Sequence, residues 1–594
     1  ANNIIVGRVV QGNGVTIVAA EDKRINQDIL IPYNLDLNAE EGQVVEVEIT
    51  TQPSIREKPM GKIIKILGSY ADSGIEIEIA LRKHHLPYEF SKEAMNQANQ
   101  YGSEIDPKEI AGRIDLRQLS LITIDGETAR DFDDAVYAEP SKDGWRLIVA
   151  IADVSAYVNK GSNLDEEALE RGNSVYFPRR VIPMLPESLS NGLCSLNPNV
   201  DRLCMVCDMN ISDLGKVTSY TFYPSVMQSK ARLTYTIADE ILNKQNEELK
   251  EKYQHIYENL ENLHSIFKLL FSQRKKRGAL EFDSTETSII FDANGKIDHI
   301  KPIYRNEAHR IIEECMLAAN VCSAEFLQEK EVDALFRNHE TPSEEKLETL
   351  RGFLIEFGLF LDGGNSPTVK HYGQLIKQIS SRPDAHLLQT VVLRSMQQAV
   401  YSNQNKGHFG LAYESYTHFT SPIRRYPDLI VHRAIKAKIQ KKKLKIKDIE
   451  RLGEHCSGTE RRADDATRDV ESWLKCYFMQ DKIGEIYEGT VSGVTGFGLF
   501  VELDGIFIEG LLHVTELGND YFTFEKSKHA MVGERTHLSY RLGDRLKVKV
   551  VRVDMETSKI DLSLMNVNNG KSKKIKSRKD TNHFSKNKRV RKRK

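Results

Sequence analysis

Residues 122–134 read ITIDGETARDFDD, which sets four aspartates, Asp125, Asp131, Asp133 and Asp134, within ten positions directly after a strand-like apolar run. Carboxylates a few ångströms apart repel, and each raises its neighbour's pKa unless a cation or a shared proton relieves them. The lead-in LSLITID and the following WRLIVAIADVSAYV read as buried strands, where uncompensated charge is costly. An acidic turn or helix start is the ordinary use of such residues, and the flanking strands count against it. A calcium loop of the EF-hand type is excluded because Gly126 falls out of register with that pattern. The reading that remains is a hard-cation site, with oxygen ligands holding Mg²⁺, or Mn²⁺ as the alternative, beside a phosphate. Two such ions about 4 Å apart can activate a water and stabilise the leaving oxygen of a phosphodiester.

A second constellation, HFTSPIRRYPDLIVHRAIKAKI at 418–439, supplies the opposite charge. Pro422 and Pro427 stiffen the approach, and Arg424 and Arg425 offer guanidinium forks suited to a phosphoryl oxygen just before a helix. Adjacent arginines also make ordinary solvated faces, so the clamp depends on pairing with the acidic cluster. Tyr176 in NSVYFPRRVIPML and Phe282 in RGALEFDSTE lie beside Arg179, Arg180 and Arg277. Each fits either core packing or a stacking platform for single-stranded bases, where stacking is worth about 1–3 kcal/mol per base. Cys204 and Cys207 form a C-x-x-C inside the strand-like RLCMVCDMNI, without a second pair nearby to complete a zinc site. No P-loop, G-x-S-x-G or dinucleotide fingerprint occurs.

Outward from these blocks, residues 1–68 alternate apolar and polar positions in short runs broken by Gly, Asn, Asp and Pro, the pattern of a small β-barrel. Helical periodicity begins near SKEAMNQANQYG, and strands and helices then mix to about residue 440. One amphipathic stretch, EELKEKYQHIYENLENLHSIFKLLFSQRKKRG, ends at Gly278, and EAHRIIEECMLAANVCSAEFLQEK reads as a core helix. Residues 448–480 read as a polar, charge-paired connecting helix, and alternation returns after Gly484 as a second barrel.

At 594 residues the chain needs several domains, and no apolar run reaches the ~20 residues of a membrane span. Seven cysteines, an odd and sparse set, fit a reducing compartment, so a cytoplasmic location is expected. Residues 571–594 hold thirteen Lys or Arg against one Asp, a tail of +12, which leaves −14 for the rest of a chain whose total is −2. An acidic body with a basic tail suits a polyanion partner, and a solubilising tail is the alternative.

TIDGETARDFDDAV, IPMLPESLSNGLCSL, AHRIIEECMLAAN, RNHETP and THFTSPIRRYPDLIVHR together resemble the successive signature blocks of the ribonuclease II/ribonuclease R (RNB) family of exoribonucleases. VTGFGLFVEL and GLLHV resemble an S1-type OB module, and the N-terminal barrel resembles a cold-shock module. The TSPIRRYPDL block and the basic tail are similar to the ribonuclease R branch. The resemblance implies a multidomain α+β chain: a cold-shock (OB) barrel at 1–70, a connecting segment at 71–112, a mixed α/β RNB catalytic domain at 113–440, a connecting helix region at 441–482, an S1-type barrel at 483–566 and a disordered basic tail at 567–594.

It also implies a processive, hydrolytic 3′-to-5′ exoribonuclease that needs a divalent metal, releases nucleoside 5′-monophosphates and works through structured RNA. By motif, Asp125, Asp131 and Asp134 would be metal ligands, Asp133 would orient or activate the attacking water, and Arg424 would stabilise charge on the scissile phosphate. Tyr176 and Phe282 would bracket the 3′-terminal bases. Tyr235 and Glu314 would place the terminal nucleotide, with Glu313 as a rival for the glutamate, and Phe497, Phe500 and His513 would form the RNA face of the S1-type barrel. The partner is single-stranded or 3′-overhang RNA, the chain is expected to be a monomer, and no pattern identifies a protein partner from RNA decay, ribosome or helicase machinery. Relatives of this kind usually begin with a helix-turn-helix segment and a further cold-shock module, so a chain starting at Ala1 is expected to be truncated. Thr467 stands where many relatives carry Glu, and the role of that carboxylate is not carried over. A catalytically inactive RNA-binding regulator on the same architecture is the rival reading, and a phosphorolytic nuclease is another.

Overall fold

The computed structural model describes residues 3–565, apart from 13–14, 55–56, 245, 283–285, 294, 383 and 526–528. The basic tail therefore lies outside the described residues. The N-terminal runs form a closed barrel of five strands, Ile4–Gly12, Val15–Ala20, Ile29–Ile31, Gln43–Thr51 and Met60–Ser69. Period-2 alternation turns Val9, Val18, Val45 and Val47 into its core.

The central domain is built on a seven-stranded sheet in the spatial order Ala231–Thr234, Ile122–Asp125, Asp134–Ser141, Gly144–Ala152, Asp201–Ser212, Val217–Gln228, Ile114–Asp115. Both faces are covered. Leu147, Val149 and Ile151 enter a core shared with the helices Gln254–Arg277, Glu307–Glu329 and Tyr426–Ile439, while Ile148, Ala150 and Ala152 enter the opposite core with Ala94, Leu164 and Leu189. That two-sided burial is why WRLIVAIA reads as a continuous apolar run rather than an alternation. It also separates Cys204 from Cys207, which lie three residues apart on one strand and join opposite cores, so the C-x-x-C spacing does not converge on one ion.

The amphipathic stretch expected as one helix is two. Asn246 caps Glu247–Lys252 through its side chain, the chain turns at Tyr253, and Gln254–Arg277 then runs to Gly278, whose φ of 78° closes the helix. The helix Ile449–Met479 is more than a polar connector: Cys456, Ala463, Ala466, Val470, Trp473 and Leu474 are buried along it. Its small and apolar positions pack on the central domain, on the helix Ile75–Lys83 after the first barrel, and toward the second barrel.

The C-terminal barrel closes from Ile486–Thr495, Gly498–Leu503, Ile508–His513, Arg545–Asp554 and Lys559–Leu564. Between its third and fourth strands the chain forms a three-stranded sheet, Phe522–Glu525, Ala530–Gly533 and Ser539–Arg541, which the alternation pattern did not distinguish from the barrel. His529 beside it stands edge-on to Phe353 with ring centroids 5.0 Å apart, fastening the barrel to the helix Glu344–Glu356. The two barrels also touch, through the Arg8–Glu556 ion pair and a bond from the Tyr70 hydroxyl to the Met555 carbonyl at 3.4 Å. Among the described residues no helix is long and apolar enough to cross a membrane.

Candidate active site

The acidic segment leaves the sheet at Asp125, the last residue of Ile122–Asp125, and returns at Asp134, the first residue of the adjacent strand. The loop between them therefore opens at one end of the sheet, where interior strands stop. Ser195 holds it from below, its hydroxyl donating to the Arg130 carbonyl at 2.7 Å and accepting the Phe132 N–H at 2.9 Å. Asp133 is 4 % exposed.

Its partners come from the distant arginine loop. The Ile423 N–H donates to Asp133 Oδ1 at 2.8 Å, and Arg424 Nε lies 3.2 Å from Asp133 Oδ2. The Arg424 side chain keeps 46 % of its surface exposed, so it spans from the buried carboxylate to solvent. Arg425 turns the other way: its Nη2 donates to Asp428 Oδ1 at 2.8 Å, and the Ser421 N–H donates to the same oxygen at 2.8 Å. Asp428 is fully buried and fixes the loop's shape. The motif-based reading missed it, and the spacing Arg-x-x-Asp at a helix start is the signal that could have found it.

The arginine loop is also laced to the chain that carries Tyr176. Ser174 N–H donates to the Arg424 carbonyl at 3.0 Å, Tyr426 N–H donates to the Gly172 carbonyl at 2.9 Å, and Asn173 and Arg425 form a bridge. Gly172 has φ +72°, and a Cβ there would fall 2.0 Å from Thr459 Oγ1. Tyr176 is 42 % exposed, and its hydroxyl donates to Asp131 Oδ2 at 2.6 Å. One face of the site therefore presents an aromatic ring tied to the acidic loop.

Burial raises the pKa of Asp133 well above the carboxylate range, with Arg424 and the Ile423 N–H opposing it. Burial, then the charge of Asp125, pushes Asp134 up to about 7. Asp125 is raised by burial too, although the Gly126 N–H bonds it at 2.7 Å. Burial disfavours the Arg424 charge, and Asp133 together with Tyr176 and Asp428 restores it and lifts its pKa above the ordinary value. Buried oxygen donors that are short of positive charge are what a hard divalent cation would satisfy. Asp125, Asp131 and Asp134 fit that role by donor chemistry, while among the described residues no three His, Cys, Asp or Glu side chains are grouped so as to hold an ion.

The remaining candidates lie around this centre or on another module. Thr234 is the register partner of Asp125, so Tyr235 follows directly beside the acidic strand end. Glu314 is 3 % exposed and accepts from Arg274 Nη1 at 2.8 Å; Glu313 accepts from the same nitrogen at 2.7 Å and is the more exposed of the two. Phe282 is half-buried against the second core, and its neighbour Glu281 faces Arg310 at 3.6 Å. Phe497 and Phe500 meet edge-on, 5.9 Å apart, in a cleft of about 1020 Å³ between the C-terminal barrel and Thr390 and Arg394 of the helix Ala385–Ser395. His513 lies in register with Gly498 on the same barrel. The structure thus unites Asp125, Asp131, Asp133, Asp134, Tyr176, Tyr235 and Arg424, and sets Phe497, Phe500 and His513 on a separate surface.

A mixed α/β domain presents carboxylates and an arginine at one end of its sheet, between two OB-type barrels, an arrangement suited to phosphodiester cleavage. Residues 113–441 match the family described as RNB domain, 17–91 the cold shock domain and 480–565 the S1 RNA binding domain. The chain belongs to the RNB family and is a 3′-to-5′ exoribonuclease. It is 50% identical over 575 residues to Ribonuclease R of Escherichia coli strain K12, covering 94% of this chain and 71% of that protein. To Ribonuclease R of Vibrio cholerae it is 50% identical over 597 residues, covering 98% and 73%. Among solved structures, Mycoplasma genitalium RNase R in complex with ribose methylated single-stranded RNA matches with TM-score 0.88 at 28% identity, over 95% of this chain and 90% of that one. The same organism's RNase R with double-stranded RNA gives 0.83 at 26% identity, over 95% and 96%. Enzymes of this family are metal-dependent.

Proposed function

We propose that the chain hydrolyses RNA processively from its 3′ end, structured RNA included, and releases nucleoside 5′-monophosphates with Mg²⁺, or Mn²⁺, held by Asp125, Asp131 and Asp134. A divalent ion on these carboxylates supplies Lewis-acid polarisation of the phosphate and lowers the pKa of bound water. Asp133 orients the attacking water and takes its proton as the water oxygen bonds to phosphorus. The 3′ oxygen of the preceding nucleotide leaves, so the products are a shortened RNA with a 3′-hydroxyl and one 5′-monophosphate. Arg424 faces the charge that develops on the phosphate oxygens. Tyr176 and Phe282 bracket the terminal bases, and Tyr235 and Glu314 place the last nucleotide. Phe497, Phe500 and His513 hold the incoming single strand.

The observation that carries this reading is the pair of bonds from Ile423 and Arg424 to Asp133, which joins two segments 290 residues apart. Replacing Asp133 by Asn keeps the shape and removes the base. Turnover of a labelled single-stranded RNA is expected to fall by about 10²–10⁴-fold, while its dissociation constant stays within about twofold of the parent. Retained turnover, or binding that falls in step with turnover, overturns the role given to Asp133.

A further inference from the structure

Tyr235 opens the helix Tyr235–Leu242, one residue beyond the Thr234–Asp125 register pair. One face of its ring is covered by His309, with ring centroids 3.8 Å apart and planes 16° from parallel. His309 is held in turn by the start of its own helix. Its N–H donates to Asn306 Oδ1 at 3.2 Å, and its Nδ1 lies 2.7 Å from the same oxygen. Asn306 Nδ2 then donates to the Tyr235 carbonyl at 3.0 Å. A backbone bond and a ring stack thus tie two helix starts together. Asp125, Asp134 and Arg424 are among the charged groups that act on the Tyr235 phenol. The helix that bears His309 carries Glu314 five residues on, about 7.5 Å along its axis at 1.5 Å per residue.

We propose that His309 is a positioning residue: it fixes the plane of the Tyr235 ring so that the 3′-terminal nucleotide meets a rigid surface. The proposal rests on the assignment of Tyr235 to that nucleotide. A flat ring is needed for the stack, and the bond between Nδ1 and Asn306 sets the angle of that ring. Without the back plate Tyr235 is free to tilt, and a small misplacement of a reacting phosphate costs rate rather than affinity.

The test compares H309A, H309F, H309Q, Y235A and H309A/Y235A by single-turnover cleavage of a 5′-labelled RNA, with KM measured alongside. H309A is expected to lower the cleavage rate about 10- to 100-fold with KM changed less than about twofold. H309F, which keeps a ring, should stay within about threefold of the parent, and H309Q, which loses it, should be as slow as H309A. In the Y235A background H309A should cost less than about twofold more. An equal loss with and without Tyr235, or a change confined to KM, overturns the proposal. If Y235A is as fast as the parent, the assignment of Tyr235 fails and takes the proposal with it. If that control holds, only the role of His309 is at stake. Should H309A fail to fold, H309F against H309Q decides.

Discussion

Arg424 and Arg425 are neighbours with opposite fates. The first reaches Asp133 with nearly half its side chain still in solvent, whereas the second is spent on the buried Asp428. The sequence offered both guanidiniums as equals, and only the motif favoured Arg424, because nothing in a local pattern tells which of two adjacent side chains turns inward. The aspartates were more legible: their number and the apolar strands around them made a solvated turn physically expensive. What the residues could not convey was how Asp133 differs from its neighbours, since its two donors come from the arginine loop. R424A should lower kcat by about 10²–10³-fold, the usual loss for one charge-stabilising donor, and R424K should recover only part of it because Lys lacks the fork. A kcat for R424A within threefold of the parent would contradict the role given to Arg424.

At the scale of elements, the arginine loop and the Gly172–Tyr176 segment behave as one piece. Removing Asp428 strands the Arg425 charge inside that piece, so D428A should cost about 3–5 kcal/mol in chemical denaturation. D428N, which still accepts from the Ser421 N–H, should cost less. Gly172 presses on Thr459 of the long helix Ile449–Met479, so G172A should lower the melting temperature. Adding T459A should recover only part of the steric cost, because the Cβ at 459 remains in close approach, and none of the cost of a left-handed φ. Equal melting temperatures for G172A and the double variant would show that the approach to Thr459 is not what requires glycine. Long periodic helices were readable from spacing, but the break at Tyr253 and the buried stripe of the long helix were not. No glycine or proline announces the break at Tyr253, and the first half of the stripe is made of small residues, Cys456, Ser457, Thr459, Ala463 and Ala466, set among charged ones.

The whole molecule joins an acidic body, two barrels and a basic tail. The barrels were legible as period-2 alternation, whereas their meeting was not, because Arg8 and Glu556 are ordinary surface charges until the fold brings them together. Buried histidines make the assembly acid-sensitive. Burial lowers His408 to about 3 and His432 to about 4, against an ordinary value of 6.5. The unfolded chain therefore binds protons that the folded chain refuses once the pH drops below about 6.5. Stability present above that value should decline toward pH 4 by about 1.4 kcal/mol per unit for each such group; Asp133 and Asp134, raised by burial, work the other way unless a cation keeps them ionised, so the trend is read from urea midpoints at pH 7.5, 6.5 and 5.5 with Mg²⁺ present. The tail acts at the same scale: if it captures RNA, removing residues 571–594 should weaken binding and flatten the dependence of log K on log salt by about 0.7 for each phosphate the tail neutralises. The central claim is cleavage from the 3′ end at the aspartate–arginine centre, and the most direct measurement is digestion of one labelled RNA with its 3′ end free or blocked, with and without EDTA, identifying the released nucleotide. The account predicts nucleoside 5′-monophosphates from the free end only, abolished by EDTA and restored by added Mg²⁺; internal fragments from blocked RNA, or phosphate-dependent release of diphosphates, would contradict it.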